Sequence, residues 1–253
     1  TLEMTSSDSA TYEVVQRADI QWEPLNPARG DQSPKAGTLW GDRNASTATG
    51  FLVEFEEGFS SPPHIHNVTY RGVVLEGWLH NDDPTATSMW MPATSYWTQP
   101  KGEAHITAAK GRKNVAYIEI AEGPYLVKPT DEAFQTDERP LNVDASNIIW
   151  ENLTQTAHFS QTNTQTPTGL ELTHLWSDGA THGHMIKLPR GFEGGIYSPA
   201  APLRAVVIDG QVNHSSPKAA KPTALGAGGY FGSSGKAVHS LSCTSTGDCV
   251  VYL

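Results

Sequence analysis

The chain has few basic residues and no long apolar run. Lysine and arginine number 17 against 27 acidic residues, which gives a formal charge of -10 at neutral pH. An acidic protein repels phosphate backbones, so we do not expect nucleic acid as a partner. No apolar stretch approaches the roughly 20 residues that a membrane-spanning helix needs, so we do not expect a membrane partner either.

Cysteine is almost absent, since the chain has only Cys243 and Cys249. The residues between them, Thr-Ser-Thr-Gly-Asp, have the composition of a hairpin turn, and cross-strand neighbours near a hairpin can come within disulfide reach. A bridge would indicate an oxidising compartment and therefore a periplasmic or secreted protein. Two reduced cysteines would instead pack as small apolar side chains in a cytoplasmic protein. The sequence leaves both alternatives open.

The abundant residues favour strands and turns. Glycine (23) and proline (17) occur with many threonines and serines, a composition that favours short strands over long helices. We therefore expect an all-β protein. Five segments of the first half have the composition of strands: residues 50–55, 69–79, 88–96, 105–108 and 115–120.

The second half of the chain repeats the first half. Five segments recur in the same order: residues 18–23 at 146–151, 39–42 at 175–178, 56–59 at 189–192, 73–77 at 206–210, and 96–105 at 230–239. Copies of this length indicate two homologous domains rather than a solenoid. We expect a metal-binding domain over residues 1–127, a linker over residues 128–145 and a degenerate domain without metal over residues 146–253.

Three histidines of the first copy form a candidate metal site. His64 and His66 are one residue apart on a segment of extended character, so both side chains point the same way. His105 follows a turn that contains Pro100 and Gly102. Neutral imidazoles bind divalent first-row metals, and three of them leave coordination positions for water or substrate. A single histidine is more often structural, so the predicted divalent transition metal (zinc, iron, manganese or nickel) requires that all three meet.

These residues resemble the two sequence motifs of the cupin superfamily. The resemblance is carried by Gly58, His64, His66 and Gly77 for the first motif and by Pro100, Gly102 and His105 for the second. The segment Leu39-Trp-Gly-Asp is similar to the branch that contains ChrR-type anti-sigma factors and uncharacterised two-cupin proteins. The resemblance covers both halves and implies two tandem jelly rolls, also called double-stranded β-helices, with the metal in the mouth of the first.

The chain departs from the cupin pattern at Tyr70, where a typical cupin has a glutamate as its fourth metal ligand. A phenolate can bind a metal, notably ferric iron, but a neutral tyrosine more often packs or donates a hydrogen bond. The remaining three-histidine site resembles the iron centres of some cupin dioxygenases and should favour an anionic ligand. It would equally suit a protein that has lost its activity and keeps zinc.

Tyr70 and Glu76 are the candidates for a catalytic role. Tyr70 stands at the position of a cupin ligand. If Val74 faces the interior, the alternation of side chains along a strand sends Glu76 the same way. Glu76 would then act as a base or support a metal ligand.

The second copy lacks this chemistry. Tyr197, Pro199 and Leu203 stand where the first copy has its first two histidines and Tyr70, while His239 is retained. One histidine cannot hold a catalytic metal, so we expect this domain to be structural or to bind an apolar ligand. A further histidine group precedes Gly191, and we do not expect it to bind a metal: His174, His182 and His184.

Two functions remain open. In the first, the protein is an enzyme whose metal polarises a small oxygen-containing organic substrate and, if it is iron, presents it to dioxygen. In the second, the protein binds or senses a small ligand or a metal, with zinc in a structural role. The fold does not decide between them, and we favour the enzyme because of the three-histidine pattern. Two copies in one chain can bury the face that single-cupin dimers share, and a further homodimer stays open.

Overall fold

The computed structural model describes residues 5–153, 159–161, 169–199 and 201–253, and the regular secondary structure of these residues is mostly β-strand. The first half of the chain contains β1 (Tyr12–Val15), β2 (Trp22–Pro24), β3 (Lys35–Gly41), β4 (Thr49–Phe55), β5 (Ile65–His66), β6 (Tyr70–Glu76), β7 (Leu79–Asp82), β8 (Tyr96–Gln99), β9 (Ile106–Ala109), β10 (Asn114–Ile120), β11 (Val127–Lys128) and β12 (Leu141–Val143). The second half contains β13 (Glu151–Asn152), β14 (Phe159–Gln161), β15 (Glu171–Asp178), β16 (Thr181–Leu188), β17 (Glu193–Ser198), β18 (Leu203–Asp209), β19 (Val212–Ser215), β20 (Thr223–Leu225), β21 (Tyr230–Ser233), β22 (Ala237–Cys243) and β23 (Cys249–Tyr252). Short 3-10 helices lie at Arg17–Asp19, Pro27–Gln32, Thr130–Glu132 and Ala145–Asn147. The predicted all-β class of two tandem cupin jelly rolls is confirmed.

Residues Ile20–Ile148 form one compact unit. Its large antiparallel sheet has the order β12-β8-β6-β10-β4-β3-β2, and the pairs β5-β11 and β7-β9 form smaller sheets. Alternate side chains of the large sheet point into a common core, which includes Phe51, Val53, Val74 and Ile118. β12 lies within the segment expected as a linker, and it pairs with β8.

The second unit combines Thr1–Asp19 with Ile149–Leu253. Its two sheets have the orders β1-β21-β18-β23-β16-β15-β13 and β14-β17-β22-β19-β20. β1 pairs with β21, so that Tyr12 lies opposite Ser233. No repeat or motif in the sequence predicts this pairing, because β1 lies outside the segments that recur.

The two units repeat one design in detail. In β3 the register shifts between Thr38 and Trp40, and in β15 it shifts between His174 and Trp176. The indole N–H of Trp40 donates to the hydroxyl of Tyr117 at 2.9 Å, and Trp176 donates to Tyr252 at 2.8 Å. The bulge in each unit thus turns an indole toward a tyrosine on a strand of the same sheet.

The strand predicted over residues 88–96 is wrong, because the regular strand there begins at Tyr96. Pro92 has no N–H to donate to a sheet, and Thr94 has a positive φ of 72°. Met91 still forms an isolated bridge with Leu79. The predicted strand over residues 69–79 is interrupted at Gly77, whose φ of 78° favours glycine.

Cys243 and Cys249 form a disulfide at the start of the β22–β23 turn, with their Cα atoms 5.9 Å apart. This is the bridged alternative of the two that the sequence leaves open. Within the described ranges, no helix has the length and apolar composition to cross a membrane.

Candidate metal centre

The structure brings the three predicted histidines together. His64 and His105 are opposite residues of an isolated antiparallel bridge, with N–H to carbonyl distances of 3.1 and 3.0 Å. His66 follows on β5, and the ligand nitrogens of the three side chains all lie within 4.8 Å of one another. Among the described residues, no other group of three histidine, cysteine or acidic side chains meets this condition.

Backbone hydrogen bonds fix the two motifs to each other. The N–H of Gly102 donates to the carbonyl of His66 at 2.9 Å, so the turn before His105 is fixed to β5. Gly102 has a positive φ of 78°, which glycine adopts readily. The turn can therefore close tightly enough for His105 to reach the bridge with His64.

The hydrogen bonds of the imidazoles determine their tautomers. The Nδ1 atom of each ring lies next to a backbone carbonyl: Pro62 for His64 at 2.8 Å, Leu126 for His66 at 2.9 Å, and Glu103 for His105 at 3.0 Å. A carbonyl accepts hydrogen bonds and cannot donate them, so each Nδ1 carries the hydrogen. Each Nε2 is therefore left with a lone pair.

Burial keeps the three rings neutral. Removal from water lowers the pKa of His66 well below its usual value, and the neighbouring His105 and His64 lower it further. Burial lowers the pKa of His105 to about 3. The pKa of His64 is lowered by burial, against the raising effect of its hydrogen bond to Pro62. Neutral imidazole is the form that binds a metal.

The donor atoms fit a metal ion. The Nε2 atoms of His64 and His66 lie 3.2 Å apart, although neither carries a hydrogen to bridge them. The Nε2 atom of His105 is buried and has no hydrogen-bond partner among the described residues. Two nitrogens that each lie about 2.0–2.1 Å from one zinc ion are separated by roughly 3 to 3.5 Å. A shared cation thus accounts both for the short separation and for the unpartnered nitrogen.

Tyr70 lies beside the histidines, but its hydroxyl has another partner. Its ring centroid is 5.3 Å from that of His66 and 6.1 Å from that of His105. The hydroxyl donates to Oδ1 of Asn81 at 2.7 Å, and Thr107 donates to the same oxygen. Burial raises the pKa of Tyr70 to about 12, so the phenol is neutral at physiological pH.

Tyr125 is a site residue that the sequence analysis missed. Its ring stacks on His66 at a centroid distance of 4.4 Å, and its hydroxyl lies 3.2 Å from Nε2 of His66. Because that nitrogen has a lone pair, the hydroxyl is the donor. Burial raises the pKa of Tyr125 well above its usual value. Tyr125 follows a Gly-Pro turn after β10, outside both histidine motifs, and no signal in the sequence marks it.

The structure does not bring Glu76 to the histidines. On β6 the register against β10 shifts so that Val74 and Glu76 pair with consecutive residues, which makes Leu75 the extra residue of a bulge. The bulge breaks the alternation on which the expectation rested. The carboxylate of Glu76 instead lies 3.5 Å from Nζ of Lys113.

A cavity of about 250 Å³ adjoins His64 and His66. Most of its lining is apolar or aromatic, from Leu25, Pro34, Val53, Phe55, Phe59, Pro62, Pro63, Tyr70, Trp97, Ile118, Tyr125, Val127 and Pro129. Its cationic side chains are Arg29 and Lys128, and no aspartate or glutamate is among the described residues that line it. This volume is below the roughly 300 to 1,000 Å³ of sites for drug-sized ligands, so the cavity suits a smaller molecule.

In the second unit, the retained histidine belongs to a buried hydrogen-bonded chain. Nδ1 of His239 lies 2.8 Å from Nε2 of His214, and Nε2 of His239 lies 2.8 Å from the hydroxyl of Ser233. Burial lowers the pKa of His239 to about 3, with a further contribution from His214. Both nitrogens of His239 are thus engaged within the protein.

The group of His174, His182 and His184 lies on the β15–β16 hairpin. His174 and His184 are opposite residues, and their ring centroids lie 4.9 Å apart. The ring of His182 is more than 6 Å from both. The hydroxyl of Ser177 lies between His174 and His182, at 3.0 and 2.9 Å from their nitrogens.

Comparison with known proteins supports the fold. A family model described as "Domain of unknown function (DUF4437)" matches residues 13–253, and no curated protein sequence matches the chain. A "putative dioxygenase" from Nostoc punctiforme has 13% identity and a TM-score of 0.69, over 96% of this chain and 81% of that one.

Two other structures are similar. YlbA from E. coli has 10% identity and a TM-score of 0.62, over 96% of this chain and 89% of that one. The oxalate decarboxylase of Lactobacillus farciminis, in a formate complex, has 9% identity and a TM-score of 0.59, over 98% of this chain and 86% of that one. These neighbours are cupin-type proteins, so the predicted cupin fold is confirmed. Identities this low show the fold alone, and the resemblance to the ChrR-type branch stays a prediction.

Proposed function

The chain belongs to the DUF4437 family, and we propose that it is a metal-dependent enzyme that acts on a small oxygen-containing organic molecule. His64, His66 and His105 hold the divalent transition metal in this proposal. The cavity beside His64 and His66 receives the substrate.

The proposal rests on three imidazole Nε2 atoms that lie close together and that each have a lone pair. Each Nδ1 donates to a backbone carbonyl, so each Nε2 is an acceptor, and the ligand nitrogens lie within 4.8 Å of one another. The buried Nε2 of His105 has no donor among the described residues, and such an acceptor destabilises a fold unless something compensates it. Carbonyl hydrogen bonds to the remote nitrogen are also the usual support of histidines that bind metals.

A bound metal would supply Lewis-acid chemistry and, if it is iron or manganese, redox chemistry. The chain supplies the remainder of the site. The mostly apolar lining offers few hydrogen bonds to water, and the hydroxyl of Tyr125 can donate a hydrogen bond beside His66. Tyr70, held by Asn81, forms part of the wall as a neutral phenol.

The absence of a carboxylate ligand affects which molecules the site prefers. Three neutral imidazoles leave the full charge of a divalent ion in place, which favours an anionic oxygen donor. A "putative dioxygenase" and an oxalate decarboxylase have the same fold, and their names are compatible with such a substrate.

One observation favours a second candidate, a non-enzymatic sensing or binding protein with structural zinc, as in the ChrR-type branch. The hydroxyl of Tyr125 lies 3.2 Å from Nε2 of His66 and could complete a closed four-coordinate site. Structural zinc sites are closed in this way, whereas catalytic sites keep an open position.

The test begins with elemental analysis of protein purified without chelators. We expect about one equivalent of zinc, iron, manganese or nickel, its loss in His64→Ala and His105→Ala, and its retention in His182→Ala, which removes an exposed histidine of the second unit. Absence of metal from the wild type would overturn the proposal. X-ray absorption then separates the two candidates. Metal-bound water that a small organic acid displaces indicates the enzyme. A four-coordinate zinc that binds neither water nor the acid indicates the second candidate.

A further inference from the structure

We propose that the ligand of this cavity is a small organic carboxylate with an apolar body, and that Arg29 binds its carboxylate group. The inference rests on the proposed function, because it names the substrate class of the same cavity. It also makes Arg29 a specificity-determining residue, although Arg29 lies outside the cupin motifs.

The first argument is the charge of the lining. Arg29 and Lys128 both line the cavity, whereas none of its described lining residues is acidic. The side chains of arginine and lysine are cationic at neutral pH, and no lining carboxylate offsets them. A carboxylate would compensate this charge, whereas a neutral or cationic ligand would not.

The second argument is the difference between the two cations. Nζ of Lys128 lies 2.9 Å from a carboxylate oxygen of Glu132, four residues later. The guanidinium of Arg29 has no hydrogen bond or ion pair with any described residue, although Arg29 is only partly exposed. Arg29 and His64 line the same cavity. Arg29 is therefore the cation that remains available to a ligand beside the metal site.

The third argument is that the segment of Arg29 is held in place. The 3-10 helix Pro27–Gln32 begins at Asn26, whose side chain accepts from the N–H of Ala28 at 3.1 Å. The hydroxyl of Ser33 accepts from the N–H of Asn26 at 2.8 Å and thereby closes the segment. An arginine on a fixed backbone can form two parallel hydrogen bonds with a carboxylate, which a lysine cannot do.

The apolar lining and the small volume define the rest of the ligand. Most of the lining, for example Val53, Phe55 and Ile118, offers no hydrogen bonds, so we expect the body of the ligand to be mainly hydrocarbon. A volume of about 250 Å³ fits one aromatic ring or a short aliphatic chain better than a large molecule. The cavity thus matches a monocarboxylate whose carboxylate group binds Arg29 and would also offer an oxygen to a metal at His64 and His66.

The experiment compares acids with their neutral amides on the metal-loaded protein. Isothermal titration calorimetry measures the binding of benzoate, phenylacetate and hexanoate, and then of benzamide, phenylacetamide and hexanamide. We expect at least one acid to bind with a submillimolar Kd and at least tenfold more tightly than its amide. Arg29→Gln should weaken that acid at least tenfold and leave the amide unchanged, and Arg29→Lys should restore part of the affinity. Arg112→Gln removes the same charge at an exposed residue outside the cavity and should change neither.

The inference is overturned if no acid binds below 1 mM, if acids and amides bind equally, or if Arg29→Gln and Arg112→Gln behave alike. The metal content of Arg29→Gln distinguishes this failure from failure of the proposed function. An Arg29→Gln variant that retains its metal and still prefers acids as the wild type does contradicts the role of Arg29 alone. A wild type without metal that still prefers acids through Arg29 contradicts the metal-dependent enzyme and supports this inference.

Discussion

The Nε2 atoms of His64 and His66 lie 3.2 Å apart, and both are hydrogen-bond acceptors because their Nδ1 atoms donate to the carbonyls of Pro62 and Leu126. Two lone pairs at this distance repel each other unless a cation or a proton lies between them. The lowered pKa values of both rings oppose the proton. A shared metal ion would remove this repulsion, as the proposed function requires.

Metal removal should destabilise the protein. An ion that binds only the folded state stabilises it by about 2.7 kcal/mol when its free concentration is 100 times its Kd. Differential scanning fluorimetry with and without a chelator should therefore show a lower Tm for the apo protein. The chelator should not change the Tm of His105→Ala, and it should lower the Tm of His182→Ala as it does that of the wild type. Equal Tm values for the holo and chelated wild type would contradict the prediction.

Tyr70→Phe should leave the metal bound and reduce the free energy of unfolding by about 1 kcal/mol, because it removes one buried hydrogen bond while Asn81 still accepts from Thr107. Tyr125→Phe removes the hydroxyl beside His66 and should alter the visible spectrum of the cobalt-substituted protein. Metal analysis and spectroscopy of both variants provide the check. Loss of metal in Tyr70→Phe alone would show that Tyr70 is a ligand.

Glu76→Gln should change neither the metal content nor the affinity for ligands, because Glu76 pairs with Lys113 and lies apart from the histidines. Both side chains are partly exposed, so the free energy of unfolding should change by no more than about 1 kcal/mol. Urea denaturation and elemental analysis measure the two effects. Lys113→Gln is the matched control, and a loss of metal in Glu76→Gln alone would restore Glu76 as a candidate for a role in the site.

Acid should destabilise the second unit through His214 and His239. Burial lowers their pKa values to about 4 and about 3, against 6.5 for the usual histidine. Below pH 6.5 the unfolded chain takes up protons that the folded chain does not. The stabilisation is therefore fully present above pH 6.5 and is lost as the pH falls toward the folded pKa values. Each such proton lowers the free energy of unfolding by up to about 1.4 kcal/mol per pH unit.

Chemical denaturation between pH 8 and pH 5 measures this slope. His214→Gln and His239→Gln should each reduce it, and His182→Gln is the matched control. The explanation fails if both variants keep the wild-type slope.

Reduction of the Cys243–Cys249 bridge should destabilise the second unit. The bridge closes a loop with a sequence separation of 6, and the loss of its entropic effect on the unfolded chain should amount to about 2 kcal/mol. Thermal unfolding of Cys243→Ser with Cys249→Ser, or of wild type with a reductant, tests this. A reductant should have no further effect on the double variant, and a wild-type Tm that does not respond to it would contradict the prediction.

The sequence by itself determined the fold class, the repeat and the three histidines. Each of these follows from local pattern. His64 and His66 share a face of one strand, and the repeated spacing of the two copies can be recognised without knowing which residues are in contact. The prediction for Glu76 used the same alternation and missed the site, because the bulge at Leu75 breaks the period of two. A bulge depends on the register against β10, which the sequence of β6 does not show.

Only the tertiary structure decided how the site is completed. The carbonyl that fixes the tautomer of His66 belongs to Leu126, 60 residues away, and the hydroxyl beside the same ring belongs to Tyr125. Arg29 reaches the cavity from the short 3-10 helix Pro27–Gln32, which precedes both motifs. These side chains meet because separate strands and loops pack around one barrel mouth. Chain topology, rather than spacing in the sequence, therefore determines which residues surround the histidines. Local periodicity thus located the three histidines of the candidate site, and long-range packing placed the groups that hydrogen-bond to them and that line the cavity.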